Sequence, residues 1–425
     1  MSARFCSGVM NRYFLHVEID DQGHLILPPN LMKRLGFLPG ANIRIDERAN
    51  SISIYRSSAS LARVYVEPTN LCNLDCQICM RNVWDEPLGK MSATTFSQII
   101  EALKTFSPTP LLFFGGFGEP LAHPDILDMV SAAKRTGAKV EMVTNGTLLS
   151  ETVSQRLIDI GMDRLWVSID GATPESYEDI RLGDALPQVI ANLTRLRELR
   201  HWSEFRSPQI GIAFVAMKRN IADLPEVVKL GKRLGVDQFS ISNVLPHTPE
   251  LQEQILFSLS MFIGDVQPSK WTPMIALPRI DINELTKDRL VEILKRQNPV
   301  SIIRQEIASG ANTCPFIEKG SVSIRWDGAV SPCLPLLHTH VSYLDDRLRK
   351  SNAYAVGNIN ENSLADLWNS SSYVALRERL QIFDFSPCTF CNSCEMANGN
   401  IEDCFGNNLP ACGGCLWAQG FIQCP

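Results

Sequence analysis

The chain has 425 residues, enough for two or three domains. Hydrophobic residues make up 45% and charged residues 20%, a globular balance that excludes a disordered chain. A net charge of −6, from 40 Lys and Arg against 46 Asp and Glu, leaves no basic excess to argue for a nucleic-acid partner. The longest apolar stretch, around Ile255 to Gly264, is broken by serines and is too short to span a bilayer, so no membrane partner is expected. No sustained apolar segment follows Arg4, which argues against a secretory signal and for a cytoplasmic protein. Thirteen cysteines stand out, and their placement says more than their number. Cys6 is alone, Cys72, Cys76 and Cys79 cluster, and the other nine all follow Thr313. A large chain with an odd cysteine total and clustered thiols points to metal rather than to a disulfide scaffold.

Taken in chain order, residues 1–58 read as a small all-β unit. Tyr13 to Ile19 alternates as a strand, Asp20 to Gly23 is a turn, and His24 to Leu27 is a second strand stopped by Pro28-Pro29. Ala41 to Ile45 and Ser51 to Tyr55 predict a second hairpin. The row HLILPPNLMKRLGFLPGANIRI resembles the AbrB-like swapped-hairpin domain. That resemblance implies a homodimer built from two such halves. Many members bind DNA, but residues 12 to 56 carry six Lys and Arg against five Asp and Glu, which favours dimerisation or partner docking.

Residues 59–245 change to a strand, loop, helix rhythm. Predicted strands are Val64 to Glu67, Leu111 to Phe114, Lys139 to Val143, Arg164 to Ile169, Ile210 to Val215 and Gln238 to Ser242. Helices are predicted over Thr94 to Phe106, Pro124 to Thr136, Ser150 to Ile160, Pro187 to Leu199 and Leu224 to Leu234, with Ser150 as an N-cap. A short helix is also expected near Pro174 to Ile180. Apolar strands covered on both faces belong to parallel sheets. The fold class is therefore α/β, a partial (β/α)6 barrel of the TIM type, with polar and glycine residues gathered after the strands where such barrels carry their sites. Residues 246–313 are proline-rich and read as a linker over the barrel mouth, with a helix near Asn283 to Lys295. Residues 314–425 are loop-rich and need metal ligation to supply stability.

Cys72, Cys76 and Cys79 are spaced C-x3-C-x2-C. Three thiolates can hold three irons of a cubane and leave the fourth iron open to a chelating cofactor. A zinc site would need a fourth ligand, and no further His or Cys lies nearby in sequence. EPTNLCNLDCQICM after a strand resembles the signature of the radical SAM superfamily. The resemblance implies a [4Fe–4S] cluster that binds S-adenosylmethionine (SAM) and, when reduced, cleaves it to a 5′-deoxyadenosyl radical that abstracts hydrogen. It also implies site residues. Gly115, Gly116, Gly118 and Glu119, in GGFGEP, resemble the family's GGEP-type motif with one residue inserted, where a carbonyl approaches the SAM ammonium. Asn145 in TNG resembles the segment lining the adenosine site. Ser168 and Asp170 in VSIDG resemble positions that reach the ribose and carboxylate, and Arg181 resembles a carboxylate-binding arginine. Read without the resemblance, these are turn residues and a helix-end charge.

Cys314, Gly328 and Cys333, in C-x13-G-x4-C, and the row GNINENSLADLW resemble a SPASM domain, which implies two auxiliary [4Fe–4S] clusters and a protein or peptide substrate. By that analogy Cys314, Cys333 and Cys415 serve one cluster, and Cys388, Cys391, Cys412 and Cys424 the other. Cys394 and Cys404 are each either the missing fourth ligand or a free thiol. Two C-x2-C pairs also read as a zinc ribbon. His338-Thr339-His340 is expected at the surface. The tail CGGCLWAQGFIQCP, joined to the N-terminal β unit, resembles the tungsten cofactor oxidoreductase maturase subgroup. That implies action on a tungsten-containing aldehyde oxidoreductase or its cofactor, with an electron donor such as ferredoxin or flavodoxin. Two other functions compete: a radical SAM enzyme forming thioether or C–C crosslinks in a ribosomal peptide, and an AbrB-like metal-sensing DNA-binding regulator. The second leaves the β/α rhythm and GGFGEP unexplained.

Overall fold

The structure is a computed structural model that describes residues 18–29, 32, 44–48, 51–55, 60–176, 185–203, 207–257, 274–278, 280–281, 283–290, 300–302, 314–344, 347–386, 388–389 and 394–425. Arg181, Cys391 and Cys6 lie outside the described residues. Near the N-terminus, β1 (Glu18–Ile19) pairs antiparallel with β2 (Leu25–Ile26). The Asp20 carboxylate sets this turn by accepting from the Gln22 and His24 amides at 3.0 and 2.8 Å. β3 (Arg44–Arg48) pairs antiparallel with β4 (Ser51–Tyr55).

The main body alternates β5 (Arg63–Val66), α1 (Ala93–Lys104), β6 (Leu111–Phe114), α2 (Ile126–Arg135), β7 (Val140–Thr144), α3 (Glu151–Ile160), β8 (Arg164–Ser168), α4 (Leu186–Trp202), β9 (Gln209–Ala216), α5 (Leu224–Arg233) and β10 (Gln238–Asn243). Strands β5 to β10 run parallel in sequence order, as the apolar runs predict. Helix starts follow local chemistry: the Ser92 and Ser150 side chains accept from the Thr95 and Val153 amides and cap α1 and α3.

Alternation along each strand divides the core in two. Val64, Val66, Leu112, Phe114, Val140, Met142, Leu165, Val167, Ile210 and Ile212 pack outward against the helices. Tyr65, Phe113 and Trp166 turn inward with Phe316, Leu334, Trp417, Phe421 and Ile422 of the C-terminal region. A polar floor lies beneath this inner cluster. Glu141 accepts from the Trp166 indole at 3.1 Å and is flanked by Arg164 at 3.6 Å and Arg63 at 4.0 Å.

The region read as a linker carries two more strands. β11 (Met274–Leu277) adds parallel to β10, and β12 (Val300–Ile302) adds parallel to β11. The C-terminal region is continuous with the same sheet. β13 (Ser321–Ile324) pairs parallel with β5 on the edge opposite β6, followed by β14 (Ala329–Ser331). A separate hairpin, β15 (His340–Leu344) with β16 (Arg347–Ser351), lies near the cysteine loop, and β17 (Gly357–Asn358) completes the eleven-stranded order. Helices Leu364–Asn369 and Ser371–Ile382 bury Trp368 and Tyr373 behind it. Among the described residues no helix is long and apolar enough to cross a membrane.

Candidate functional site

A cavity of about 320 Å³ opens at the C-terminal ends of the strands. Cys72, Cys76 and Cys79 line it from the loop after β5, Gly116 and Gly118 from the loop after β6, and Thr144 and Asn145 from the end of β7. Ser168 lines it from β8, and Ser240, Ser242 and Asn243 from β10. Thus most of the residues singled out by motif meet in one place.

The cysteine loop is held by donors aimed at sulfur and at its carbonyls. Arg81 gives its Nε–H to the Cys79 sulfur at 3.4 Å and its two terminal nitrogens to the Asn70 and Leu74 carbonyls, both at 3.0 Å. The Leu74 amide points at the Cys72 sulfur at 3.4 Å, and Asn145 Nδ2 does so at 3.8 Å. Asn145 Nδ2 also reaches Asn73 Oδ1 at 2.9 Å, which ties the loop to the TNG segment. Burial raises the Cys72 thiol above its ordinary pKa, a penalty that ligation to a cationic iron cluster removes. This donor set fits a cluster held by three thiolates.

The glycines of GGFGEP are needed for close approach. Gly116 has φ +120°, and a Cβ there would stand 2.7 Å from the Glu67 side chain. A Cβ on Gly118 would stand 2.2 Å from the Thr69 carbonyl oxygen. Gly115 does not line the cavity; its backbone backs onto the Phe113 ring. Glu119 is 1% exposed, and its carboxylate accepts from Thr144 Oγ1 and the Asn145 amide, both at 2.7 Å, and from the Leu121 amide at 2.9 Å. It clamps two loops of the cavity together. Asp170 stands behind the wall rather than in it. It is fully buried, does not line the cavity, and accepts from the Val215 amide at 2.7 Å.

Sequence reasoning missed Glu67, Glu86 and His338. His338 is 1% exposed and His340 is 4% exposed, which corrects the expectation of a surface pair. His338 Nε2 meets Glu67 Oε2 at 2.9 Å, and its Nδ1 meets Glu86 Oε2 at 2.5 Å. Burial opposes the imidazolium, but the bonds and charges of Glu67 and Glu86 outweigh it and raise the His338 pKa. Glu67 Oε1 also accepts from the Phe117 amide at 3.1 Å, so this chain joins the C-terminal region to the glycine loop. Ser240 and Ser242 were also missed. Their signal was present: two serines alternating with Phe239 and Ile241 in an otherwise apolar strand.

A second cavity is lined by Cys314, Cys333, Cys412 and Cys415, together with His340, Arg349 and Trp417. Burial and the neighbouring thiols push Cys333 and Cys412 well above the ordinary thiol range, and burial pushes Cys314 up to about 12. Four thiols lining one buried cavity suit a metal cluster that neutralises them. Arg349 is 8% exposed here and donates to the Ala397 carbonyl at 2.6 Å and the Ala411 carbonyl at 3.4 Å. This grouping places Cys412 with the first set, not with Cys388 as analogy suggested. Cys388 and Cys394 are partly buried and Cys404 is exposed; none of the three lines either cavity. Cys424, assigned by analogy to the Cys388 set, lines the first cavity. Among the described residues no three His, Cys, Asp or Glu side chains close round a single ion; the thiols are spread along cavity walls.

Residues 66–230 match the radical SAM superfamily, and residues 314–395 match an iron–sulfur cluster-binding domain, SPASM. The chain is 33% identical over 366 residues to the tungsten-containing aldehyde ferredoxin oxidoreductase cofactor-modifying protein of Pyrococcus furiosus, covering 85% of this chain and 96% of that one. It is 23% identical over 368 residues to the Fe-coproporphyrin III synthase of Methanosarcina barkeri, covering 81% and 86%. Among solved structures, the fold resembles native anSMEcpe with bound AdoMet at a TM-score of 0.52 and 16% identity, covering 86% of this chain and 92% of that one. It also resembles Streptococcus suis SuiB bound to its precursor peptide SuiA, at a TM-score of 0.54 and 15% identity, covering 75% and 67%. The cysteine loop, the glycine loop and the barrel cavity thus belong to a SAM-dependent iron–sulfur enzyme, and the chain is a member of the radical SAM superfamily with a SPASM domain.

Proposed function

We propose that this enzyme matures a tungsten-containing aldehyde oxidoreductase by modifying that protein or its cofactor. The carrying observation is the match to the Pyrococcus furiosus protein along nearly its whole length, at 33% identity. A [4Fe–4S] cluster and SAM, once bound, would supply the radical chemistry. The chain's own residues position it. Cys72, Cys76 and Cys79 hold the cluster, and the backbone at Gly116 and Gly118 receives the SAM amino group. Asn145, Ser168 and Ser240 line the nucleoside and substrate space. Glu119 lines the cavity and fixes the glycine loop against β7, and Asp170 holds the Val215 amide of β9 behind the wall. Arg181 binds the SAM carboxylate.

Cys314, Cys333, Cys412 and Cys415 hold one auxiliary cluster, and Cys388, Cys391, Cys394 and Cys404 hold the other. A ferredoxin or flavodoxin supplies electrons. The exposed Ile19, Leu25 and Ile26 of the β1–β2 hairpin support a homodimer through the N-terminal segment, because a lone two-stranded hairpin has no core of its own.

Co-expression tests the reading. A tungsten-containing aldehyde oxidoreductase made with this protein should be active, and the same enzyme made with the Cys72→Ala variant should be inactive. Equal activity in both would remove the maturase role. Separately, the anaerobically reconstituted chain should carry about ten to twelve irons and release 5′-deoxyadenosine from SAM on reduction.

A further inference from the structure

The structure assigns Cys424 to the wall of the SAM and substrate cavity, and we propose that it is a free, substrate-facing thiol rather than an auxiliary-cluster ligand. The inference rests on the radical SAM reading of that cavity. Two independent observations carry it.

First, Cys424 shares its cavity with Cys72, Cys76, Cys79, Asn145 and Ser168. The auxiliary cavity has four other cysteines of its own, a full set for a [4Fe–4S] cluster. Second, the segment around Cys424 is fastened to the barrel on both sides. Asn243 Nδ2 donates to the Phe421 carbonyl at 2.7 Å, and the Phe421 ring stacks on Phe257 at 4.7 Å. The Gln423 amide donates to Ser242 Oγ at 3.1 Å, and its side chain donates to the Ile241 carbonyl. Arg63 donates to the Pro425 oxygen at 3.1 Å. Cys424 is thus placed by β5 and β10, the strands that build the radical cavity.

A sulfur in this position touches whatever fills the space beside SAM. It discriminates by shape and by weak S–H contact, and its loss is felt by the substrate rather than by the iron. The spacing of the tail allowed Cys424 to be read as a last ligand; its strand anchors place it elsewhere.

The test uses the full chain, reconstituted anaerobically. Wild type is expected to carry about twelve irons, Cys412→Ala about eight, and Cys424→Ala about twelve. Cys424→Ser is measured alongside as the near-isosteric variant. In the wild-type holoprotein, iodoacetamide at mildly alkaline pH should alkylate Cys424, read by peptide mass spectrometry. SAM at about ten times its Kd should slow that labelling roughly tenfold. Loss of about four irons from both Cys424 variants would overturn the proposal. So would a Cys424 that resists iodoacetamide without SAM, or labelling that SAM does not slow. A wild-type chain that binds no iron and cleaves no SAM would instead remove the radical SAM reading itself.

Discussion

The His338 imidazole and the Glu67 carboxylate meet at 2.9 Å, and neither side chain is exposed to solvent at all. One belongs to the auxiliary region and the other ends the first barrel strand, next to the cysteine loop. A buried pair of this kind is costly to break, because the surviving partner keeps its charge without compensation.

Replacing His338 should therefore destabilise the junction. His338→Ala is expected to cost about 3–5 kcal/mol, and His338→Gln less, because an amide can still donate to one carboxylate. The pH dependence follows from the sign of the shift. The folded-state pKa of His338 is raised, so its contribution is complete below the unfolded value of about 6.5 and is lost as pH rises through the folded value. The Tm gap between wild type and His338→Gln should be widest at mildly acidic pH and narrow as pH increases. A gap that widens with pH would contradict the buried imidazolium.

Gly118→Ala should cripple SAM binding. Its Cβ would meet the Thr69 and Leu71 carbonyl oxygens at 2.2 and 2.6 Å, and backbone cannot yield as a flexible side chain does. An overpacking cost of about 1–3 kcal/mol corresponds to roughly a five- to hundredfold loss of SAM affinity by calorimetry. Gly137→Ala is the control. It carries left-handed strain of its own at φ +83°, which Gly118 does not, but nothing lies within 4 Å of its Cβ, so its SAM affinity should match wild type.

Ser240→Leu should fill the cavity without touching the thiols. SAM affinity is expected to fall at least about tenfold, with iron content unchanged. Unchanged affinity would place SAM away from β10.

Arg349→Leu should loosen the auxiliary cluster. It leaves the Ala397 and Ala411 carbonyls unpaired at about 1–3 kcal/mol each and removes the cation beside four thiols. Chelator-driven iron release should accelerate. Arg349→Lys should rescue it only in part, since a single ammonium lacks the planar fork that reaches two carbonyls.

Much of the barrel was legible because β5 to β10 are short apolar runs with turn residues on either side, and the helices between them bury one face. The cofactor site was legible for a related reason: its residues sit in loops immediately after strands, so motif and position coincide. What escaped notice lacks local marks. β11 and β12 are four and three residues long within a proline-rich segment, too short to show a period. The parallel pairing of β13 with β5 joins segments far apart in sequence, and no spacing records it. His338 looked like a surface residue because the two carboxylates that bury it come from elsewhere in the chain. Asp170 looked like a ligand contact because its motif matches, yet the Val215 amide takes its carboxylate. Cys412 and Cys424 show that cysteine spacing counts ligands without saying which thiols converge.

The position of β13 also decides whether the barrel can close. A closed barrel joins its last strand to its first by hydrogen bonds. Here one edge of β5 is bonded to β6 and the other to β13, so β12 has no edge of β5 left to join. Among the described strands, closure of the sheet through β5 is therefore blocked by β13 itself.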